Sequence, residues 1–139
     1  MNAHDRGTSV EIIRNADVVS LGHSGVTSEQ LLYPENSESQ RVTVTRVTVA
    51  PGASNPRHSH AHSEQVWVAL RGNARLLLDG STTEPFREGD VVRFVDGYVH
   101  GLENLGAEDF VYFSVTSPPI NFRAAYSVDW RESEGNDAA

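Results

Sequence analysis

At 139 residues, the chain has room for one domain with a real hydrophobic core and too little for two. Eleven basic against nineteen acidic side chains give a formal charge of −8, and no window concentrates Lys or Arg, which argues against nucleic acid and anionic membrane surfaces as partners. The absence of cysteine excludes disulfides, thiolate zinc sites and cysteine nucleophiles, so that any metal must be held by nitrogen and oxygen.

Taken in chain order, Met1 to Gly7 is polar, without the apolar centre of a secretory signal, and no later run approaches the ~18 apolar residues of a membrane span. A cytoplasmic protein is therefore expected. Residues 1–9 and 131–139 read as flexible ends around a single domain at 10–130. Gly22-His23-Ser24-Gly25 lacks the full nucleophile-elbow pattern and is set aside as a serine site. The best helical candidate is Thr27 to Tyr33, where Thr27 and Gln30 can form a capping box and Pro34 stops the helix after about two turns.

From there the pattern is β. Runs rich in Val, Thr, Leu, Phe and Tyr fall at 41–50, 65–71, 73–79, 91–95 and 110–116. Their turn signals are Pro51-Gly52, Gly72-Asn73, Asp79-Gly80, Asp96-Gly97 and Pro118-Pro119. Short strands at this interval, with no long 3.6-period segment between them, predict an all-β barrel or sandwich. Within 41–50, Val42 and Val44 lie on one face and Val47 and Val49 on the other. Either a bulge sits near Arg46, or both faces are partly covered, by more sheet or by a second subunit. The second case makes a homodimer the expected assembly.

Four of the six histidines fall in two clusters. The first is His58, His60 and His62, followed by Glu64 and Gln65; the second runs from Gly89 through Gly97 to His100 and Asn104. Residues i and i+2 of a strand share a face with Cα atoms roughly 6–7 Å apart, so His58 and His60 can converge on one ion. A turn through Ala61 to Glu64 returns the chain antiparallel to offer a third ligand, and His100, beyond the Gly97 turn, offers a fourth. His4 and His23 carry no such spacing and read as ordinary residues.

These spacings resemble the two motifs of the cupins, small all-β proteins built as a double-stranded β-helix or jelly-roll barrel. The first motif is matched by Gly52, His58, His60, then Glu64 or Gln65, then Gly72. The second is matched by Gly89, Gly97, His100 and Asn104, with Val95 in place of the family's proline. Six residues separate Gln65 from Gly72, as the family requires of its third ligand. The resemblance thus implies one divalent transition metal, such as Zn, Ni, Mn or Fe, held by His58, His60, Gln65 and His100, with Glu64 as the alternative ligand. An amide where the family usually has a carboxylate leaves more of the ion's charge uncompensated, which favours Lewis-acid chemistry on oxygen.

The implied function is a small metal-dependent enzyme. It would carry out isomerisation, ring opening or elimination on an oxygen-rich small acid or sugar derivative. Two alternatives stand beside it: an iron dioxygenase, and a non-enzymatic module that binds a small ligand. His62 and Tyr98 are the candidate proton carriers, although His62 also reads as an exposed turn residue and Tyr98 as a turn aromatic packed on its neighbours. Trp67, Arg75 and Arg93 are candidates for the substrate pocket. The competing roles are core packing for Trp67 and ordinary ion pairs with acids for the two arginines.

Overall fold

The computed structural model describes residues 9–123. The assigned flexible ends, apart from residue 9, and the last residues of the 10–130 domain lie outside the described residues. Among those described there are ten strands, two short 3-10 turns and no α-helix; no helix is long and apolar enough to cross a membrane.

The strands are β1 (Val19–His23), β2 (Val26–Leu32), β3 (Thr43–Val49), β4 (Ser54–His58), β5 (Glu64–Arg71), β6 (Asn73–Leu78), β7 (Thr83–Arg87), β8 (Val91–Phe94), β9 (His100–Glu103) and β10 (Phe110–Ser117). They form a six-stranded sheet in the order β1-β2-β3-β10-β5-β8 and a four-stranded sheet in the order β4-β9-β6-β7. Every pairing is antiparallel. Alternation along β2, β3, β5 and β10 turns one set of side chains inward. Val26, Val47, Val49, Trp67, Ala69, Leu76, Phe86, Phe94, Leu102, Phe110 and Tyr112 form one buried cluster.

All five expected runs are strands. The segment Thr27 to Tyr33 is not helical: it is β2, paired with β1 on one side and β3 on the other. Its inward positions are Val26, Ser28 and Gln30, so the period of two is present but written mostly in polar residues, and pairing on both edges overrides the local capping signal.

The phase change in 41–50 also has a specific origin. β3 alternates regularly, with Thr43, Thr45, Val47 and Val49 buried, and its register with β10 is unbroken. No bulge sits at Arg46. The irregularity belongs to β2, where Gln30 pairs with Thr45 and Leu32 with Val44. Two threonines therefore occupy inward positions that a valine-based reading assigns outward.

The four-stranded sheet is drawn tight where it carries histidines. A Cβ on Gly101 of β9 would lie 2.6 Å from the Asn55 carbonyl oxygen and 2.9 Å from the Arg57 amide nitrogen. Both are backbone atoms and cannot swing aside. Gly101→Ala should therefore cost about 2–3 kcal/mol by overpacking and lower Tm by roughly 10 °C in calorimetry. A change of only a degree or two would contradict the close approach of β4 and β9.

Candidate metal centre

β4 and β9 bring two histidines face to face, because His58 and His100 are register partners at the end of the pair. Asn55 pairs with Leu102 and His58 with His100, so β4 holds one extra residue between the two pairs. That bulge lets both Asn55 and His58 point inward although three positions separate them. His60 follows in the turn between β4 and β5, and its carbonyl accepts from the Gly97 amide at 2.8 Å. Gly97 adopts φ +77°, a left-handed conformation that suits glycine, and so ties the two histidine clusters together.

The nitrogen ligand atoms of His58, His60 and His100 all lie within 4.8 Å of one another. Their residues are 1%, 2% and 2% exposed. His58 Nδ1 lies 2.6 Å from the Pro56 carbonyl oxygen and His100 Nδ1 lies 2.8 Å from that of Tyr98. A carbonyl only accepts, so each Nδ1 carries the proton and the lone pair is on Nε2. Both nitrogens of His60 are buried with no hydrogen-bond partner among the described residues.

Gln65 completes the group from the opposite sheet. Its Oε1 accepts from Trp67 Nε1 at 3.0 Å, and its Nε2 donates to Thr116 Oγ1 at 2.8 Å. These two bonds fix which end of the amide is oxygen. That oxygen then faces His100 Nε2 at 3.1 Å, which sets two acceptors against each other unless a cation lies beside them. A proton is a poor solution. Burial, with His58 next, pushes His60 down to about 3; burial and His58, partly offset by the Tyr98 carbonyl, push His100 down to about 2. The His60 and His100 rings are therefore neutral at ordinary pH, the form that ligates a metal. Three imidazole nitrogens and an amide oxygen, buried and converging, fit a divalent transition metal of the Zn, Ni, Mn or Fe type.

Aromatic rings close the surroundings. Phe94 stacks on His100 at 4.3 Å with 9° between planes, and Trp67 meets the same ring at 5.4 Å and 81°. Phe122, beyond β10, packs on His60 at 5.9 Å.

The other expected site residues scatter. Glu64 is on the outer face, bonded to Arg93 Nε at 2.7 Å, so Gln65 rather than Glu64 faces the histidines. Arg93 is thereby removed from the pocket where it was expected. Arg75 is also corrected: it is exposed on β6 and pairs with Glu103. In both cases strand phase places a charged side chain outward and a carboxylate within reach holds it there. His62 is exposed in the turn. Tyr98 is half-buried and stacks with Phe94 at 6.2 Å, while Trp67 is fully buried and serves both the core and the wall beside His100.

Sequence reading missed Thr116, Phe94 and Phe122. The first two were recoverable, since Thr116 and Phe94 are the register partners of Gln65 on either side; Phe122 follows the paired prolines and carries no periodic signal. Asn104 of the second motif serves the backbone: its Nδ2 donates to the carbonyls of Val49 and Glu108.

The outward position of Glu64 gives a direct check on the third ligand. Glu64→Gln should leave metal affinity unchanged and cost less than about 1 kcal/mol of stability, as expected for an exposed ion pair. Loss of metal on this substitution, measured by chelator competition, would place Glu64 in the site instead.

The family described as "Cupin domain" matches residues 45–116, a span holding His58, His60, Gln65, His100 and Thr116. Among curated proteins, the chain is 26% identical over 109 residues to oxalate oxidase GF-3.8 of Triticum aestivum, covering 71% of this chain and 49% of that protein. The chain thus spans about half the length of that relative. Among solved structures, a predicted oxalate decarboxylase from Thermotoga maritima is similar with TM-score 0.68 and 23% identity, covering 77% of this chain and 98% of the other. The structure of KdgF from Halomonas sp. is similar with TM-score 0.66 and 18% identity over 77% of this chain and 94% of the other. At these identities the structural likeness shows a shared fold.

Proposed function

The chain belongs to the cupin family, and from that premise we propose that it is a small metal-dependent enzyme acting on an oxygen-rich acid or sugar derivative by isomerisation, ring opening or elimination. His58, His60, His100 and Gln65 would hold one divalent transition metal. Bound there, the ion would supply Lewis acidity toward a carbonyl, carboxylate or hydroxyl oxygen of the substrate.

The observation that carries this reading is the neutral amide of Gln65 facing His100 Nε2 at 3.1 Å. No carboxylate belongs to the ligand group among the described residues, so the protein offsets little of the ion's charge. Thr116 and Trp67 hold the amide oxygen toward His100. Phe94, Trp67 and Phe122 keep the histidines from water, which strengthens electrostatic interactions inside. Of the two proposed proton carriers, Tyr98 is the better placed. It is half-buried against Phe94, which itself stacks on His100, whereas His62 is exposed in the turn.

A second reading, oxidation at an iron centre, draws on the likeness to a protein named oxalate oxidase. The two separate in one experiment. Chain loaded with Zn, Ni, Mn or Fe is incubated with a panel of aldonic and uronic acids with and without oxygen, and products are followed by proton NMR. The proposal expects conversion without oxygen, abolished by chelator and restored by metal. Conversion only with iron and oxygen uptake would overturn it in favour of the second reading. An acid retained but recovered unchanged would overturn both, leaving a binding module.

A further inference from the structure

The inner face of the six-stranded sheet is polar where it leads away from the metal ligands. Ser28 and Gln30 of β2, Thr43 and Thr45 of β3, and Ser114 and Thr116 of β10 are all buried. Register sets them side by side. Gln30 is opposite Thr45, Thr45 opposite Ser114, and Ser114 opposite Trp67. In the next inward row, Thr43 is opposite Thr116, and Thr116 is opposite Gln65. The polar face is thus continuous with the ligand amide.

Some of these groups serve one another. Gln30 Nε2 donates to Ser28 Oγ at 2.9 Å, and Thr116 Oγ1 accepts from Gln65. Three atoms have no such use. Gln30 Oε1, Thr43 Oγ1 and Ser114 Oγ are buried with no hydrogen-bond partner among the described residues, and their residues are only 1%, 0% and 4% exposed. A buried polar atom left unpaired is destabilising, and a valine or leucine would fill such positions without that penalty.

Their chemistry is narrow. The amide oxygen accepts only, whereas the two hydroxyls donate or accept. No Asp, Glu, Lys or Arg is buried among the described residues, and Arg46, on the same strand as Thr43, is held outward by Glu29 at 2.8 Å. Nothing here would neutralise a phosphate or a second carboxylate. A chain of neutral hydroxyls, each both donor and acceptor, matches the set.

We infer that Gln30, Thr43 and Ser114 form a hydroxyl-binding subsite, which takes the uncharged polyhydroxy part of a substrate whose acid group is held at the metal ligands. This rests on reading His58, His60, His100 and Gln65 as a metal centre. It adds a specificity: one acid group and a neutral hydroxylated remainder.

The test titrates the nickel-loaded full chain by calorimetry with three probes of one chain length. D-gluconate has one carboxylate and five hydroxyls, hexanoate the carboxylate without hydroxyls, and D-glucarate a carboxylate at each end. Gluconate should bind at least about tenfold tighter than either, the worth of one well-made buried hydrogen bond. Gln30→Leu and Thr43→Val should each reduce that preference by about five- to tenfold while nickel affinity stays unchanged; Ser114→Ala provides the same readout should Gln30→Leu fail to fold. A chain that binds no nickel removes the metal centre and the subsite together. A chain that binds nickel but shows no preference for gluconate, or whose variants keep the preference, overturns the subsite alone.

Discussion

His100→Ala is expected to weaken nickel or zinc binding by about 10²–10³ and to abolish turnover. Shared among four ligands, the roughly 10–16 kcal/mol of a structural zinc site comes to about 2.5–4 kcal/mol each. His100 is the most constrained of the three histidines. Its Nδ1 is held to the Tyr98 carbonyl at 2.8 Å, its ring is stacked on Phe94 at 4.3 Å, and its Nε2 faces the Gln65 oxygen. No neighbour can replace that lone pair. Competition against a chromophoric chelator reads the affinity, and near-ultraviolet circular dichroism reports whether the variant keeps its packed core. A folded variant that binds nickel within about threefold of the native chain would show that these histidines are not the site.

Gln65→Glu should move affinity and activity in opposite directions. The carboxylate is nearly isosteric with the amide. Trp67 Nε1 can still donate to it, and the Thr116 hydroxyl, which accepts from the amide at 2.8 Å, can turn to donate. The fold is therefore expected to tolerate the change. A negative charge facing His100 Nε2 would tighten binding of a divalent ion by about tenfold or more, and would lower the ion's pull on substrate oxygen. Turnover should fall by about 10- to 100-fold, the range seen when groups that tune a metal are altered. Parallel measurement of metal affinity and kcat checks both directions. Unchanged kcat with the same metal would contradict the role assigned to the neutral amide.

How far the sequence reaches can be seen residue by residue. The histidines were legible because their spacings match the two cupin motifs, and counting back from Gly72 in the first motif favoured Gln65 over Glu64; in the fold Glu64 pairs outward with Arg93. β2 was not legible. Its inward residues include Ser28 and Gln30, and a strand whose buried face is polar gives no hydrophobic period to read. The same polarity that hid the strand marks the proposed hydroxyl subsite. Arg75 and Arg93 show the converse limit: a strand's period says which residues share a face, while only the neighbouring strand says which face is inside. Phe94, opposite Gln65, settles that for β8 and turns Arg93 outward. Phe122 belongs to no periodic element, and only the folded chain brings it to His60.

The most direct measurement is the metal content of the untagged chain purified without chelator, beside Gln65→Ala, with a dissociation constant for each. Close to one divalent ion per native chain is predicted, bound at least about tenfold more weakly once the amide oxygen is gone. A well-folded native chain that takes up no divalent ion, or a Gln65→Ala variant that binds one as tightly as the native protein, would contradict the His58, His60, His100 and Gln65 centre.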